Sequence, residues 1–190
     1  MASIKGISLK NYKECNGEDG VAFSGDIYYL GKKIGEVENS GWGGCNDYHF
    51  YDDPQGGAKL RKAMQAYYED PRYFTPDEIE TYNMTMDDFV RGKKASTLPL
   101  MKNSDAGKDP DLFIDQLLDL MNLEKSYKRG IKKGYKAVYH FGYYSAGHQM
   151  LPSVNYLCSA AMTDKLMAEQ KIHPNVHGEY YPSLESFVLD

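Results

Sequence analysis

The sequence predicts an α+β fold: an antiparallel β-meander with helices packed on one face. Two observations carry this. Apolar residues between Val21 and Asp52 recur at the two-residue period of half-buried strands, whereas the stretches after Pro54 and after Asp109 recur at the period of an amphipathic helix. Strands come first, helices next, and strand and helix then return, which is not the regular alternation of a parallel βαβ sheet. The 190 residues, 42% of them hydrophobic, suit a single domain over 1–190 with enough apolar mass for a core.

Taken in order, Ile4, Ile7 and Leu9 mark a short first strand that ends in the polar turn Asn16 to Gly20 and pairs with the meander. Val21, Phe23, Ile27 and Tyr29 then share one face, with Ser24 and Asp26 on the other. Gly31-Lys32-Lys33 reads as a hairpin loop. In the return strand Ile34 and Val37 are out of phase, so a bulge near Gly35 is needed to put both on one face. Gly41, Gly43 and Gly44 surround the only Trp of the chain, Trp42, and argue against any regular element there, because glycine serves where φ must be positive. Tyr48 to Asp52 forms the next strand.

Asp53 before Pro54 has the pattern of a helix cap with proline in the first turn, and Leu60, Ala63, Met64, Tyr67 and Tyr68 make the apolar stripe of that helix, which stops at Asp70-Pro71. Thr75-Pro76-Asp77-Glu78 is a capping box for a shorter helix through Ile79 and Tyr82, and Thr85 and Asp88 repeat the pattern. Residues 92–108 lose all periodicity and read as a surface loop or subdomain linker. Asp109-Pro110 opens the strongest helix, with Phe113, Leu117, Leu120, Tyr127 and Ile131 along one stripe. Its acids lie in the first half and its bases in the second, which complements the helix dipole. Strands at Tyr135 to Tyr143, Val154 to Cys158 and Ser186 to Leu189, with a helix at Ser159 to Lys171, complete the chain.

The net charge of −5 is ordinary and points neither to a nucleic-acid mimic nor to a basic nucleic-acid binder. No run of about 18 apolar residues and no secretory leader is visible, so the expected location is the cytoplasm, with no membrane contact. Cys15, Cys45 and Cys158 are too widely spaced for a metal or redox motif and are expected as buried or half-buried thiols. Seventeen tyrosines, several in pairs (Tyr28-Tyr29, Tyr67-Tyr68, Tyr143-Tyr144, Tyr180-Tyr181), supply either contact surface for a partner or a tyrosine-rich core.

No phosphate-binding loop, nucleophile elbow, zinc-protease or kinase signature occurs, so no catalytic residue is assigned and neither cofactor nor metal is expected. His173 and His177 have zinc-like spacing but no cysteine pair to complete a site. Asp47, His49, Asp52 and Asp53 are the one other group that a divalent ion would suit. Trp42 is either a binding residue, stacking on a base or entering a partner's pocket, or a lid that closes the end of the sheet. Tyr28, Tyr48, Tyr143, Tyr144 and Asp47 are the further candidates for contact with a partner. Lys125, Lys128, Arg129, Lys132 and Lys133 form a basic run that suits nucleic acid, although dipole complementarity explains the same residues.

The opening GISLKNYKECNGEDG, the hairpin LGKKIGEV, the loop GWGGCNDYHFYD and the later KKGYKAVYHFG together resemble a loose group of small proteins from phages and mobile elements of gut bacteria. Within that setting the chain looks most like an anti-CRISPR protein acting on a Cas9-type nuclease. The resemblance implies a non-enzymatic inhibitor in the cytoplasm of a bacterial host, with a host protein as partner: a CRISPR nuclease carrying its guide RNA. It transfers no site residue. Two other functions suit the residues, a sponge for a small signalling nucleotide at Trp42 and a metal-dependent hydrolase or nuclease at Asp47, His49 and Asp52.

Overall fold

A computed structural model describes residues 1–52, 54–70, 72, 109–143, 154–159, 161–162, 164–165 and 176–190. Its fold is α+β, with a mostly antiparallel six-stranded sheet and a separate three-stranded one. The residues group into two compact units, 4–117 with Asp190, and 1–3 with 118–189. The expected helices at 75–82, the linker at 92–108, the helix at 159–171 for its greater part, and Asp53, Tyr144 and His173 lie outside the described residues.

The first unit is built on the meander. Strands β1 (Ser3–Ile4), β2 (Ile7–Asn16), β3 (Val21–Tyr29), β4 (Lys32–Asn39) and β5 (Asp47–Phe50) lie in the six-stranded sheet in the order β5-β4-β3-β2-β1. The two tight turns share one device. Lys5 and Gly6 have φ of 47° and 78°, and Leu30 and Gly31 have 48° and 81°, the paired left-handed conformations whose twist matches that of the flanking strands. Leu30 N–H donates to Gly6 O at 2.9 Å, so the turns are tied together. The loop expected at residues 31–33 is therefore corrected to Leu30-Gly31, and Lys32 and Lys33 already belong to β4.

The bulge stands where the phase of Ile34 and Val37 required it. Ile27 pairs with Gly35 but Tyr28 with Lys33, which leaves Ile34 as the extra residue. A second irregularity, between Lys10 and Lys13, lets β2 continue to Asn16, and the single strand expected from Ile4 to that turn is divided into β1 and β2 by the Lys5-Gly6 turn. Ile7, Leu9, Ile27 and Val37 are fully buried on the inner face of the sheet.

Helix α1 (Gln55–Tyr68) buries the expected stripe, Leu60, Ala63, Met64, Tyr67 and Tyr68. Its cap position falls on Pro54, which makes no side-chain cap bond. Gly56 lets the helix start against the inner face, since a Cβ there would lie 2.9 Å from Phe50 Cβ. Helix α2 (Pro110–Lys132) opens at Asp109-Pro110 as expected, and Asp109 caps it: its Oδ1 accepts the Asp111 N–H at 2.9 Å and the Leu112 N–H at 3.4 Å. Its Phe113 meets Tyr67 of α1 edge to face, with ring centroids 5.9 Å apart.

In the second unit β6 (Ala137–Tyr143) lies between β7 (Val154–Cys158) and β8 (Val176–Tyr181), antiparallel to both. The strand expected from Tyr135 begins two residues later, and Tyr135 is exposed. The strand expected at 186–189 is a 3-10 turn at Leu184–Phe187 followed by the short β9 (Val188–Leu189), while β8 carried no clear alternation in the sequence. Phe187 is fully buried and stacks on Tyr181, with centroids 4.9 Å apart and planes 5° from parallel. The stripe of α2 stays buried to Leu123 and Glu124, but Ile131 is 44% exposed. Glu124 is buried because it is paired: Oε1 lies 2.8 Å from Lys128 Nζ and 2.9 Å from the terminal ammonium, and Oε2 accepts the Ala2 N–H at 3.1 Å.

Candidate partner-binding site

Trp42 is held by backbone that is fixed on both sides while its ring remains in solvent. The fixing begins at Asn39, the last residue of β4. Its Oδ1 accepts the Gly41 N–H at 2.8 Å, and its Nδ2 donates to Gly44 O at 3.2 Å and to Asn46 Oδ1 at 2.8 Å. One side chain thus spans the loop, as an asparagine can by bonding to backbone two residues on. Asn46 passes the restraint to the helix: its N–H donates to Asp111 Oδ2 at 3.1 Å, and Tyr48 OH donates to Asp111 Oδ1 at 2.7 Å. Burial and the Asp111 carboxylate both push the Tyr48 phenol far above its ordinary range, so it remains a donor.

The glycines do different work. Gly41, at φ 75°, is buried against the β2–β3 turn: its O accepts the Asp19 N–H at 3.0 Å, and a Cβ would stand 2.9 Å from Ala22 N and 3.0 Å from Gly17 Cα. Gly43, at φ 74°, faces open space up to 3.7 Å from Asp19 Cβ. Trp42 between them is 67% exposed. The lid alternative is thereby removed, because a ring that closed the sheet would be covered.

The other candidates divide. Asp47 is exposed at the start of β5, beside the loop and opposite Glu38. Tyr48 is half-buried on the inner face and holds the loop through Asp111. Tyr28 lies on the outer face, half-buried under Lys10 Nζ, which is 4.1 Å from its ring centroid. It is five residues along β3 from Phe23, the partner of Asn39, so roughly 16 Å of strand separates it from the loop. Tyr143 ends β6 opposite Val176, in the other unit. Tyr67 and Tyr68 are core residues.

Lys125, Lys128, Arg129, Lys132 and Lys133 are exposed at the end of α2 and just past it, and Lys128 is paired with Glu124. Their position at the C-terminal end of the helix is where cations complement its dipole. Cys15 and Cys45 are exposed and only Cys158 is buried, which corrects the expectation of covered thiols: Cys15 falls where β2 has left the core and Cys45 in the open loop. Among the described residues no three His, Cys, Asp or Glu side chains are grouped to hold a metal ion. His49 instead lies 3.6 Å from Glu38 Oε1. No described helix is long and apolar enough to cross a membrane.

Asn39, Asn46 and Asp111 are the residues that the sequence alone did not single out. Asparagines flanking a glycine-rich loop are a weak signal, and nothing local pairs Asp111 with a residue 63 positions away. The chain matches no protein-family model, no curated protein and no solved structure.

Proposed function

We propose that the chain is a docking protein without catalytic chemistry of its own, which anchors on a macromolecular partner through Trp42. The partner in this reading is a component of bacterial host defence, a Cas9-type nuclease with its guide RNA, which the bound chain blocks sterically in the host cytoplasm. The observation that carries the docking reading is the combination of a 67% exposed indole with a loop fixed by Asn39, Gly41 and Asn46. A large aromatic buries roughly 200 Å², so covering its exposed part is worth about 3 kcal/mol of apolar contact, the size of an interface hot spot. Because the backbone is already ordered, little of that gain is lost to loop ordering on binding. The choice of partner is supported by the resemblance at residues 6–52 and 132–141.

The test is retention of a Cas9-type nuclease from lysate on the immobilised chain, run beside a DNA-cleavage assay. Retention with loss of cleavage is the expected result, and both effects should disappear with Trp42→Ala at unchanged stability. Normal cleavage without retention overturns the choice of partner, and a Trp42→Ala protein that still retains and inhibits the nuclease overturns the docking residue.

A further inference from the structure

We infer that the Trp42 end of the sheet receives a cationic segment of its partner, one bearing arginine or lysine. This rests on the docking reading above and specifies its chemistry. The β2–β3 turn and the Trp42 loop are joined by the Asp19 N–H to Gly41 O bond, which brings Asp19 beside Gly43. On the other side Asp47 follows Asn46 directly and lies opposite Glu38, which in turn lies opposite Ser24 of β3. Residues 13–24, 38–47 and His49, which make this end, contain Glu14, Glu18, Asp19, Glu38 and Asp47 against two basic side chains, Lys13 opposite Ser24 and His49 at 3.6 Å from Glu38 Oε1, so acids prevail.

The apolar part is small. Besides Trp42 it includes Val21, 51% exposed and next to Ala22, the residue against which Gly41 is packed. Two exposed apolar side chains make a small contact, so specificity falls to charge. An exposed indole on a loop flanked by Asp19 and Asp47 is complementary to a guanidinium, which can stack on the indole face while its edge donates to the acids. An ammonium satisfies the same field as a point charge. A nucleic-acid strand is the poorer occupant, because stacking a base on Trp42 would bring phosphates against carboxylates that outnumber Lys13 and His49 among the described residues.

Trp42 is the only tryptophan, so its fluorescence reports this end of the molecule alone. Quenching by caesium should exceed quenching by iodide relative to free N-acetyltryptophanamide, and the excess should fall in D19N/D47N but persist in the charge-matched control D52N/E69Q. Asp52 and Glu69 are likewise exposed, and Glu69 caps the end of α1. In a second measurement, a labelled oligo-arginine peptide should bind the wild-type chain and lose about tenfold in affinity in W42A and in D19N/D47N, with the control unchanged. Oligothymidylate should leave Trp42 emission unaltered.

Equal quenching by the two ions, equal peptide affinity in the site and control variants, or an emission change with oligothymidylate would each overturn the assignment. The two readings fail separately. Should W42A abolish retention of the nuclease while oligo-arginine ignores the site variants, docking stands and the cationic occupant is wrong. Should W42A leave retention intact, the docking reading itself falls, and this one with it.

Discussion

Tyr48 OH donates to Asp111 Oδ1 at 2.7 Å, joining β5 to the first turn of α2 across 63 residues of chain. The other oxygen of the same carboxylate accepts the Asn46 N–H, so one side chain fixes both the strand and the end of the loop that precedes it. Tyr48→Phe removes the bond to the carboxylate and the weaker one that the hydroxyl accepts from Asn46 Nδ2 at 3.3 Å, and should cost about 2 kcal/mol. Asp111→Ala leaves a phenol and an amide without their acceptor and should cost about 3 kcal/mol. Denaturant unfolding of the two variants decides this, and equal losses would mean that the Asn46 N–H bond to Asp111 adds no more than the Asn46 Nδ2 bond to the phenol.

The glycines of the loop should respond as a graded series to alanine substitution. At Gly41 a Cβ meets backbone at 2.9 Å and φ is positive, so the loss should reach about 3 kcal/mol. Gly43 has positive φ but open space, and about 1 kcal/mol is expected there. Gly44 has neither restriction, and its alanine variant should unfold like the wild type. Thermal melts of the three variants check the order.

Trp42→Ala should change unfolding free energy by less than about 0.5 kcal/mol, because the ring is largely in water already. A larger loss in equilibrium unfolding would show that the indole supports the fold, and the effect on partner binding would then lose its meaning.

Acid should weaken the first unit through Asp70. Its carboxyl is held below the ordinary range first by the Arg72 guanidinium, then by Lys5 Nζ at 2.6 Å, and also by the Arg72 N–H. A carboxylate with a depressed folded-state pKa contributes its full stability above the unfolded value of about 3.9, and loses that contribution as pH falls through the folded value. Asp70→Asn should therefore be less stable than the wild type at neutral pH and show a shallower decline below pH about 4, read from urea midpoints against pH.

Glu124 in the second unit has the same sign. Burial opposes its charged form, but Lys128, the terminal ammonium and the Ala2 N–H overcome that cost and keep its carboxyl low. Glu124→Gln should give a second, separable reduction of the acid limb.

The parts of the fold legible in the sequence are those fixed by neighbours in the chain. Ile34 and Val37 required a bulge because both had to be buried, and the stripe from Leu60 to Tyr68 named its own helix face. The turn at Leu30-Gly31 was misplaced because leucine rarely takes a left-handed conformation, and what holds it there is the distant Gly6 O. The same limit governs the site. Trp42 was conspicuous as a residue, but whether it was covered depended on Gly41 meeting Gly17 and on Asn46 reaching Asp111, contacts that no local pattern encodes. Tyr48 shows the reverse error: its type suggested an outward contact, whereas alternation from the buried Val37 places it on the inner face.

β5 is only four residues long, and it ends the six-stranded sheet on one side. An outermost strand offers its unused amides and carbonyls to any other extended chain, which is how sheets grow into fibrils. Here the stretch amounts to about 13 Å, carries the exposed Asp47 and His49, and is preceded by an amide already committed to Asp111. The margin of the sheet is thus blunted against self-templating, and crowding the protein should not convert its meander into cross-β aggregates.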